Sequence, residues 1–312
     1  MAVRVPALTT VASERRSEAL AGYGFVAIPL LLFLTLNIGA MGYAVYISFW
    51  RWGLRGATEF RGLANYERLL SDEIFLIAVR NTLTYTLVWV PLTMALGLLL
   101  AVIVNQKIRG QTFFRAAFYF PAIASSVAIT VLWIFLVSPE GAFNDIRAAL
   151  GLNGLFEAFG FPPNHSWVSH SRTAMASVIV LNAWTTSGTV MLFYLASLQA
   201  ISHEVYEAAA IDGANAWNTF WRITFPLLRP GHFFVATVLL IGGMQIFDQA
   251  YVAGGTSGDP NNALTTIVLY LYRSATKDFS FGYASAVGIV LFALIFLGTL
   301  LQRRIFGNAP SW

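Results

Sequence analysis

There is no cysteine anywhere in the chain, which excludes a disulfide framework, a thiolate metal site and a thiol nucleophile. Charge is scarce as well. Only 11% of the 312 residues are Asp, Glu, Lys or Arg while 57% are hydrophobic, and an average soluble domain carries about 25% charged residues. A soluble core cannot hide that much apolar surface, so the composition is that of an integral membrane protein. The four histidines, His165, His170, His203 and His232, have no metal-ligand spacing, so no metal site is expected. No G-x-x-x-x-G-K-[ST] phosphate loop occurs, which removes that route to ATP, and no nucleophile–base set stands out, so no catalytic residue is assigned. The net charge of +4 is scattered between apolar blocks rather than gathered into a patch, which argues against nucleic acid.

What the chain does have is long uncharged stretches. Residues 19–50 form a run of 32 without a charge, far beyond the roughly 7 to 15 apolar residues of a signal-peptide core. The run reads as a first membrane span with Phe49, Trp50 and Trp52 as an aromatic belt at its outer end. Five further windows follow at 81–106, 116–139, 173–202, 232–253 and 279–302, each long enough to cross roughly 30 Å of hydrocarbon. The fold class is therefore all-α and integral to the membrane, with about six transmembrane helices in one unit over 19–302. Polar tails at 1–18, on which no structure is imposed, and 303–312 flank it. Six spans put both termini on one side. Of the 19 Lys and Arg, ten fall on that side and nine on the other, so the raw tally barely decides. The short connection carrying Lys107, Arg109 and Arg115 without an acid favours cytoplasmic termini, because positive-inside bias acts through short loops.

One stretch is out of character with the rest. Ser202 is placed to cap a helix over 203–211, Gly213 to supply a left-handed exit, and Asn215 to cap a second helix that Pro226 ends. Trp217, Phe220, Trp221 and Thr224 follow at i, i+3, i+4 and i+7, which puts the rings on one face. Helices this short need packing from elsewhere to be ordered; the alternative is a hairpin lying in the lipid interface. Glu207, Ala208, Ala209, Asp212, Gly213, Ala214, Phe220, Ile223, Pro226 and Pro230 resemble, at matching spacings, the EAA loop of ABC-importer permeases. Ten placed residues at roughly 5–10% background each make coincidence negligible. Phe225 departs from the Leu usual before the proline. Ser197-Leu198-Gln199-Ala200-Ile201, Phe60-Arg61-Gly62-Leu63-Ala64-Asn65-Tyr66 and Asn81-Thr82-Leu83 are similar to stretches of sugar permeases, although local packing alone also explains the last two. Phe247-Asp248-Gln249-Ala250-Tyr251-Val252, followed by Gly254-Gly255, resembles their F-D-x-x-Y-x-x-T-G-G, with Ala253 in place of Thr.

The resemblance implies the permease subunit of a carbohydrate-type ABC importer in the bacterial cytoplasmic membrane. Its EAA hairpin, 203–230, would lie in the cytoplasm between the fourth and fifth spans. Glu207, Ala208, Ala209, Asp212, Gly213 and Ala214 would couple to a separate ATPase subunit, which binds the ATP and Mg, so that this chain carries no cofactor of its own. Trp217, Phe220, Trp221 and Pro226 would anchor the hairpin to its own bundle. Further expected partners are a second, homologous permease, an extracytoplasmic solute-binding protein, a sugar or related polyhydroxy solute, and the lipid bilayer. A permease for glycerophosphate-type solutes and, further off, a self-contained secondary carrier are the alternatives; a carrier calls for inverted repeats and discontinuous helices, and no repeat is visible.

Polar residues inside the spans are the candidates for a solute path. In the fourth, Asn182, Thr185, Thr186 and Thr189 fall on one helical face, close in sequence to Trp184. Hydrogen bonding to neighbouring helices, worth about 0.6 kcal/mol per contact, and lining the path are the two roles for such a stripe. In the fifth, Gln245, Asp248 and Tyr251 repeat every three residues, and a mid-span carboxylate costs at least about 2.5 kcal/mol on insertion scales. A carboxylate with an amide and rings suits sugar hydroxyls and C–H faces; the competing position for Asp248 is a half-solvated one at the outer interface.

Overall fold

The structure, a computed structural model, describes residues 8–106 and 109–306. Lys107, one of the residues used above to orient the chain, and residues 1–7 and 307–312 of the expected tails lie outside that range.

The chain opens with α1 (Leu8–Leu32), a π-helical stretch (Phe33–Gly39) and α2 (Ala40–Ser48). The helix thus begins at Leu8, inside the expected tail, because no proline or glycine interrupts the chain between there and residue 21. Over residues 18–46 nothing is buried within the chain; Ile47 and Ser48, at the far end of the apolar stretch, are covered. A two-stranded antiparallel ribbon, β1 (Trp50–Gly53) and β2 (Gly56–Phe60), follows, then α3 (Ala64–Ser71).

The second span, α4 (Glu73–Asn105), starts eight residues earlier than expected. Asp72 caps it, Oδ1 accepting from the amides of Ile74 and Phe75 at 3.1 and 3.2 Å. Oδ2 of the same carboxyl accepts from the hydroxyls of Tyr270 at 2.6 Å and Tyr283 at 2.8 Å. Burial opposes its ionisation, but these donors outweigh burial and hold the carboxyl below its ordinary value.

The expected third span is two helices. α5 (Gln111–Ile123) and α6 (Ser126–Leu136) meet at 95°. Pro121 lacks the amide that would continue the ladder, and Ala124 and Ser125 turn extended between them. α5 is held against the fourth span backbone to backbone: a Cβ on Gly188 would lie 2.2 Å from the Phe118 carbonyl oxygen.

Beyond α6, α7 (Ala142–Ala149) and α8 (Asn153–Ala158) build a small lobe, and α9 (Ala174–Gln199) is the fourth span. The hairpin region holds α10 (His203–Ile211), α11 (Ala216–Thr219) and α12 (Phe225–Leu227). The expected fifth span is also divided, into α13 (Arg229–Met244) and α14 (Asp248–Gly254). α15 (Ile267–Thr276) and α16 (Phe281–Phe306) complete the chain. Among the described residues five helical stretches are long and apolar enough to cross a membrane, and a sixth is obtained if α5 and α6 count as one bent span.

Two apolar cores organise these elements. One joins α4, α9 and α13 around Tyr85, Met191, Tyr194 and Leu239, and the other joins α3, α4, α15 and α16 around Leu69, Ile267, Tyr283 and Val287. The 60–66 and 81–83 motifs are staples between elements. Asn65 Nδ2 donates to the carbonyls of Ser48 and Trp50 at 2.6 and 3.1 Å. Asn81 Nδ2 donates to those of Asn262 and Thr265 at 2.8 and 3.0 Å, and Thr82 Oγ1 accepts from the Ile267 amide at 3.0 Å.

Candidate solute cavity and coupling hairpin

The break between α13 and α14 is prepared by Gly242-Gly243, two residues that weaken a helix by roughly 1 kcal/mol each. The chain tightens there: the amides of Gln245 and Ile246 reach back to the carbonyls of Gly242 and Gly243 at 3.2 and 3.4 Å. Phe247 leaves helical geometry altogether, with φ −137° and ψ −60°. The carbonyl of Ile246 is satisfied by the Thr266 hydroxyl at 2.9 Å, so the discontinuity is a built feature rather than a frayed one.

A cavity of about 270 Å³ opens at this break. Tyr85 and Trp89 of α4, Asn182 and Thr186 of α9, and Gln245, Asp248 and Gln249 at the break line it. Tyr85 and Trp89 stack, with centroids 5.4 Å apart and planes 19° from parallel. Asn182 is buried and spends its Nδ2 on the Tyr85 hydroxyl at 2.7 Å. Asp248 Oδ2 accepts from Ser126 Oγ at 2.5 Å. Since Asp248 opens α14 and Ser126 opens α6, two helix N-termini converge on one carboxylate. Their dipoles and the hydroxyl offset part of the cost of a charge that has no cationic partner among the described residues.

Four of the six residues read as a solute path, Asn182, Thr186, Gln245 and Asp248, therefore share one cavity. Two do not. Trp184 lies on the other side of α9, about 200° around the helix from Asn182, and lines an apolar cleft with Leu96, Leu100 and Pro121. Tyr251 stacks on Phe247 at 5.4 Å and meets Tyr272 edge-on at 5.5 Å, off the cavity. The three-residue repeat of Gln245, Asp248 and Tyr251 is not a helical face, because the helix is interrupted between its first two members. Tyr85, Trp89, Gln249 and Ser126 went unread in the sequence; the i, i+4 aromatic pair and the Ser125-Ser126 doublet beyond Pro121 were their signals.

At the α10 end, Ser202 Oγ accepts from the Glu204 amide at 3.3 Å, Asn215 Oδ1 accepts from the Asn218 amide at 2.8 Å, and Gly213 takes φ +76°, as the sequence predicts. Of the six coupling candidates, Ala209 is buried and Ala214 half-buried; Glu207, Ala208, Asp212 and Gly213 are exposed. Glu207 Oε1 lies 3.0 Å from His203 Nδ1 one turn back.

The second arm differs from its reading. Residues 220–224 are π-helical, the Phe225 amide reaching the Phe220 carbonyl five residues back, and Pro226 does not end the helix. Its missing amide is accommodated by the widened turn, and the chain runs on through α12 and a single turn residue, Leu228, into α13. The expected rings stay together, Trp217 meeting Trp221 at 5.6 Å and Phe220 meeting Trp221 at 5.0 Å, but only Phe220 packs on the first core. Trp217 is 70% and Trp221 45% exposed, so these two do not anchor the hairpin to its bundle, and Pro226 is exposed as well. Anchoring falls to Phe220, to Tyr206 and Thr224 (hydroxyls 3.4 Å apart), and to His232. The His232 ring accepts from the Tyr194 hydroxyl at Nδ1 (2.9 Å) and donates from Nε2 to the Phe225 carbonyl (3.2 Å).

The family model described as "Binding-protein-dependent transport system inner membrane component" matches residues 75–306. The multiple sugar-binding transport system permease protein MsmF of Streptococcus mutans is 34% identical over 91% of this chain and 94% of its own length. The arabinooligosaccharides transport system permease protein AraP of Bacillus subtilis is 32% identical over 94% of this chain and 90% of its own. A crystal structure of a bacterial ABC transporter involved in the import of the acidic polysaccharide alginate is similar in fold, with a TM-score of 0.80 over 97% of this chain and 100% of that one at 20% identity.

Proposed function

This chain belongs to the binding-protein-dependent transport system inner membrane component family, and from that premise we propose that it passes a sugar or related polyhydroxy solute across the bacterial cytoplasmic membrane. A separate ATPase subunit, docking on the 203–230 hairpin, drives it. The solute class is supported by relatives named for sugar uptake and by a cavity that pairs hydrogen-bonding side chains with a stacked aromatic pair.

The observation that carries the docking is the bareness of the hairpin. Ile211 is 86% and Trp217 70% exposed at its tip, and apolar surface of that kind marks a partner's place. The two arms are not equivalent. α10 ends at the Gly213 turn, whereas α11 continues almost without a break through α13 to the cavity wall at Gln245. Closure of the ATPase dimer on its ATP and Mg would push this second arm, and the push would arrive at the discontinuity where Asp248 sits. In this arrangement the hairpin and both termini are cytoplasmic, and an extracytoplasmic solute-binding protein delivers solute to the opposite end. The uncovered Glu18–Ser48 helix offers its sides to a second, homologous permease and to lipid. Discontinuous helices, expected of a self-contained carrier, are present here too, but a bare hairpin has no task in such a carrier.

The test is reconstitution. The complex of this chain with its ATPase, paired permease and receptor is expected to hydrolyse ATP faster when a neutral oligosaccharide is supplied and to accumulate it. A panel of sugars that leaves both rates at background would overturn the reading.

A further inference from the structure

We propose that the cavity selects by charge: Asp248 admits neutral and cationic polyhydroxy solutes and repels anionic ones. The inference rests on reading the chain as a solute permease and adds to it what kind of solute passes. Among the described residues lining the cavity, Asp248 is the only charged one; no Lys, Arg or His is present.

The other polar groups do not discriminate. Thr186, Gln245 and Gln249 serve the hydroxyls of any sugar, charged or not, and Tyr85 and Trp89 cover C–H faces equally well. The decision falls to the carboxylate. One of its oxygens is engaged by Ser126 at 2.5 Å, which leaves Oδ1 to accept from a solute hydroxyl or ammonium group. A uronate or phosphate entering about 270 Å³ would sit within a few ångströms of Asp248 with no cation among the described lining residues to pair with. Like charges at that range repel even with water about them. The helix-terminal dipoles that hold Asp248 bring no side-chain cation that a second anion could share. A glycerophosphate-type solute is therefore disfavoured, and an amino sugar favoured.

The absence of cysteine makes the experiment direct. Gln245, exposed in the cavity lining, is replaced by Cys in the assembled complex. Modification of this chain is followed by mass with three methanethiosulfonates: trimethylammonioethyl, sulfonatoethyl and the neutral methyl compound. Normalised to a small free thiol, the cationic reagent is expected to outpace the anionic one by about tenfold or more. Adding Asp248→Asn should bring the ratio near one and Asp248→Lys should invert it. Ser126→Ala, which removes the hydrogen bond and keeps the charge, should leave it unchanged. A ratio near one with Asp248 intact, a ratio indifferent to Asp248→Asn, or failure of the neutral reagent to reach the thiol would each overturn the proposal. Uptake of raffinose against trigalacturonate separates the two readings. Transport of neither sugar, with the thiol ratios as expected, removes the solute assignment and leaves the charge filter. Equal transport of both removes the filter alone.

Discussion

Gly213 makes the turn of the hairpin at φ +76°, with nothing within 4 Å of where a Cβ would stand. The objection to a side chain there is backbone strain rather than space, costing a β-branched residue on the order of 1–2 kcal/mol. Gly213→Val is expected to redirect the second arm and uncouple ATP hydrolysis from uptake while the folded amount in the membrane stays near normal. Glu207→Lys should uncouple in the same way. Its side chain is 65% exposed and its partner within the chain is His203, so the internal loss is small and a transport defect would report a contact on the ATPase. Variants of both residues that assemble and transport normally would remove the coupling assignment. Asp248→Asn is expected to change uptake or solute preference with near-normal membrane abundance; a fall in abundance alone would make Asp248 structural.

Among the elements, the lobe of α7 and α8 is held by rings gathered on Trp167 and by two polar hubs. Asn144 donates to the carbonyls of Ser138, Pro139 and His165 at 3.0, 3.1 and 3.0 Å and accepts from the Trp167 indole at 3.0 Å. Arg147 donates to the carbonyls of Pro162 and Pro163 and lies over the Phe156 and Trp167 rings. Asn144→Ala would strand several of these groups at about 1–3 kcal/mol, and faster proteolysis within 139–172, with the rest of the chain resistant, is the expected readout. His165 adds a pH dependence. Burial, then the nearby charges of His170 and Arg147, lower its pKa below the ordinary 6.5. Its neutral form is the folded one, so its stabilising share is complete above about 6.5 and is lost as pH falls from there toward the lowered folded value. Proteolysis of the lobe measured from pH 7.5 down to 5 should accelerate across that window, and His165→Gln should flatten the response.

For the molecule as a whole, the missing phosphate loop predicts that the purified chain hydrolyses no ATP and gains a nucleotide-binding partner only through the hairpin. Robust hydrolysis by the chain alone would contradict this. The uncovered helix over Glu18–Ser48 predicts that the isolated chain is an incomplete object: in detergent it should be more readily cleaved in this helix than when paired with a second permease.

Composition, hydropathy and the placed residues of the hairpin determined the membrane class, the family, the rough position of the spans and the caps at Ser202, Gly213 and Asn215, because each depends on local chemistry or on total apolar length. Asn182, Thr186, Gln245 and Asp248 were legible too, since polar side chains in apolar spans announce themselves one by one. Only the tertiary structure decided how they meet. Hydropathy measures how much of a stretch avoids water and is blind to a bend, so windows 116–139 and 232–253 read as whole helices. Pro121 with Ser125-Ser126, and Gly242-Gly243 with Thr266, whose hydroxyl reaches back 20 positions to Ile246, interrupt both. Those interruptions bring Ser126 to Asp248, 122 positions apart, and place Tyr85 and Trp89 beside them. Trp184 was misplaced because nearness in sequence to Asn182 set it on the opposite side of α9, and Tyr251, Trp217 and Trp221 for a reason related to those interruptions. Periodicity assigns a face only while the helix keeps its pitch, and it cannot say which neighbour, core, lipid or partner, that face will meet.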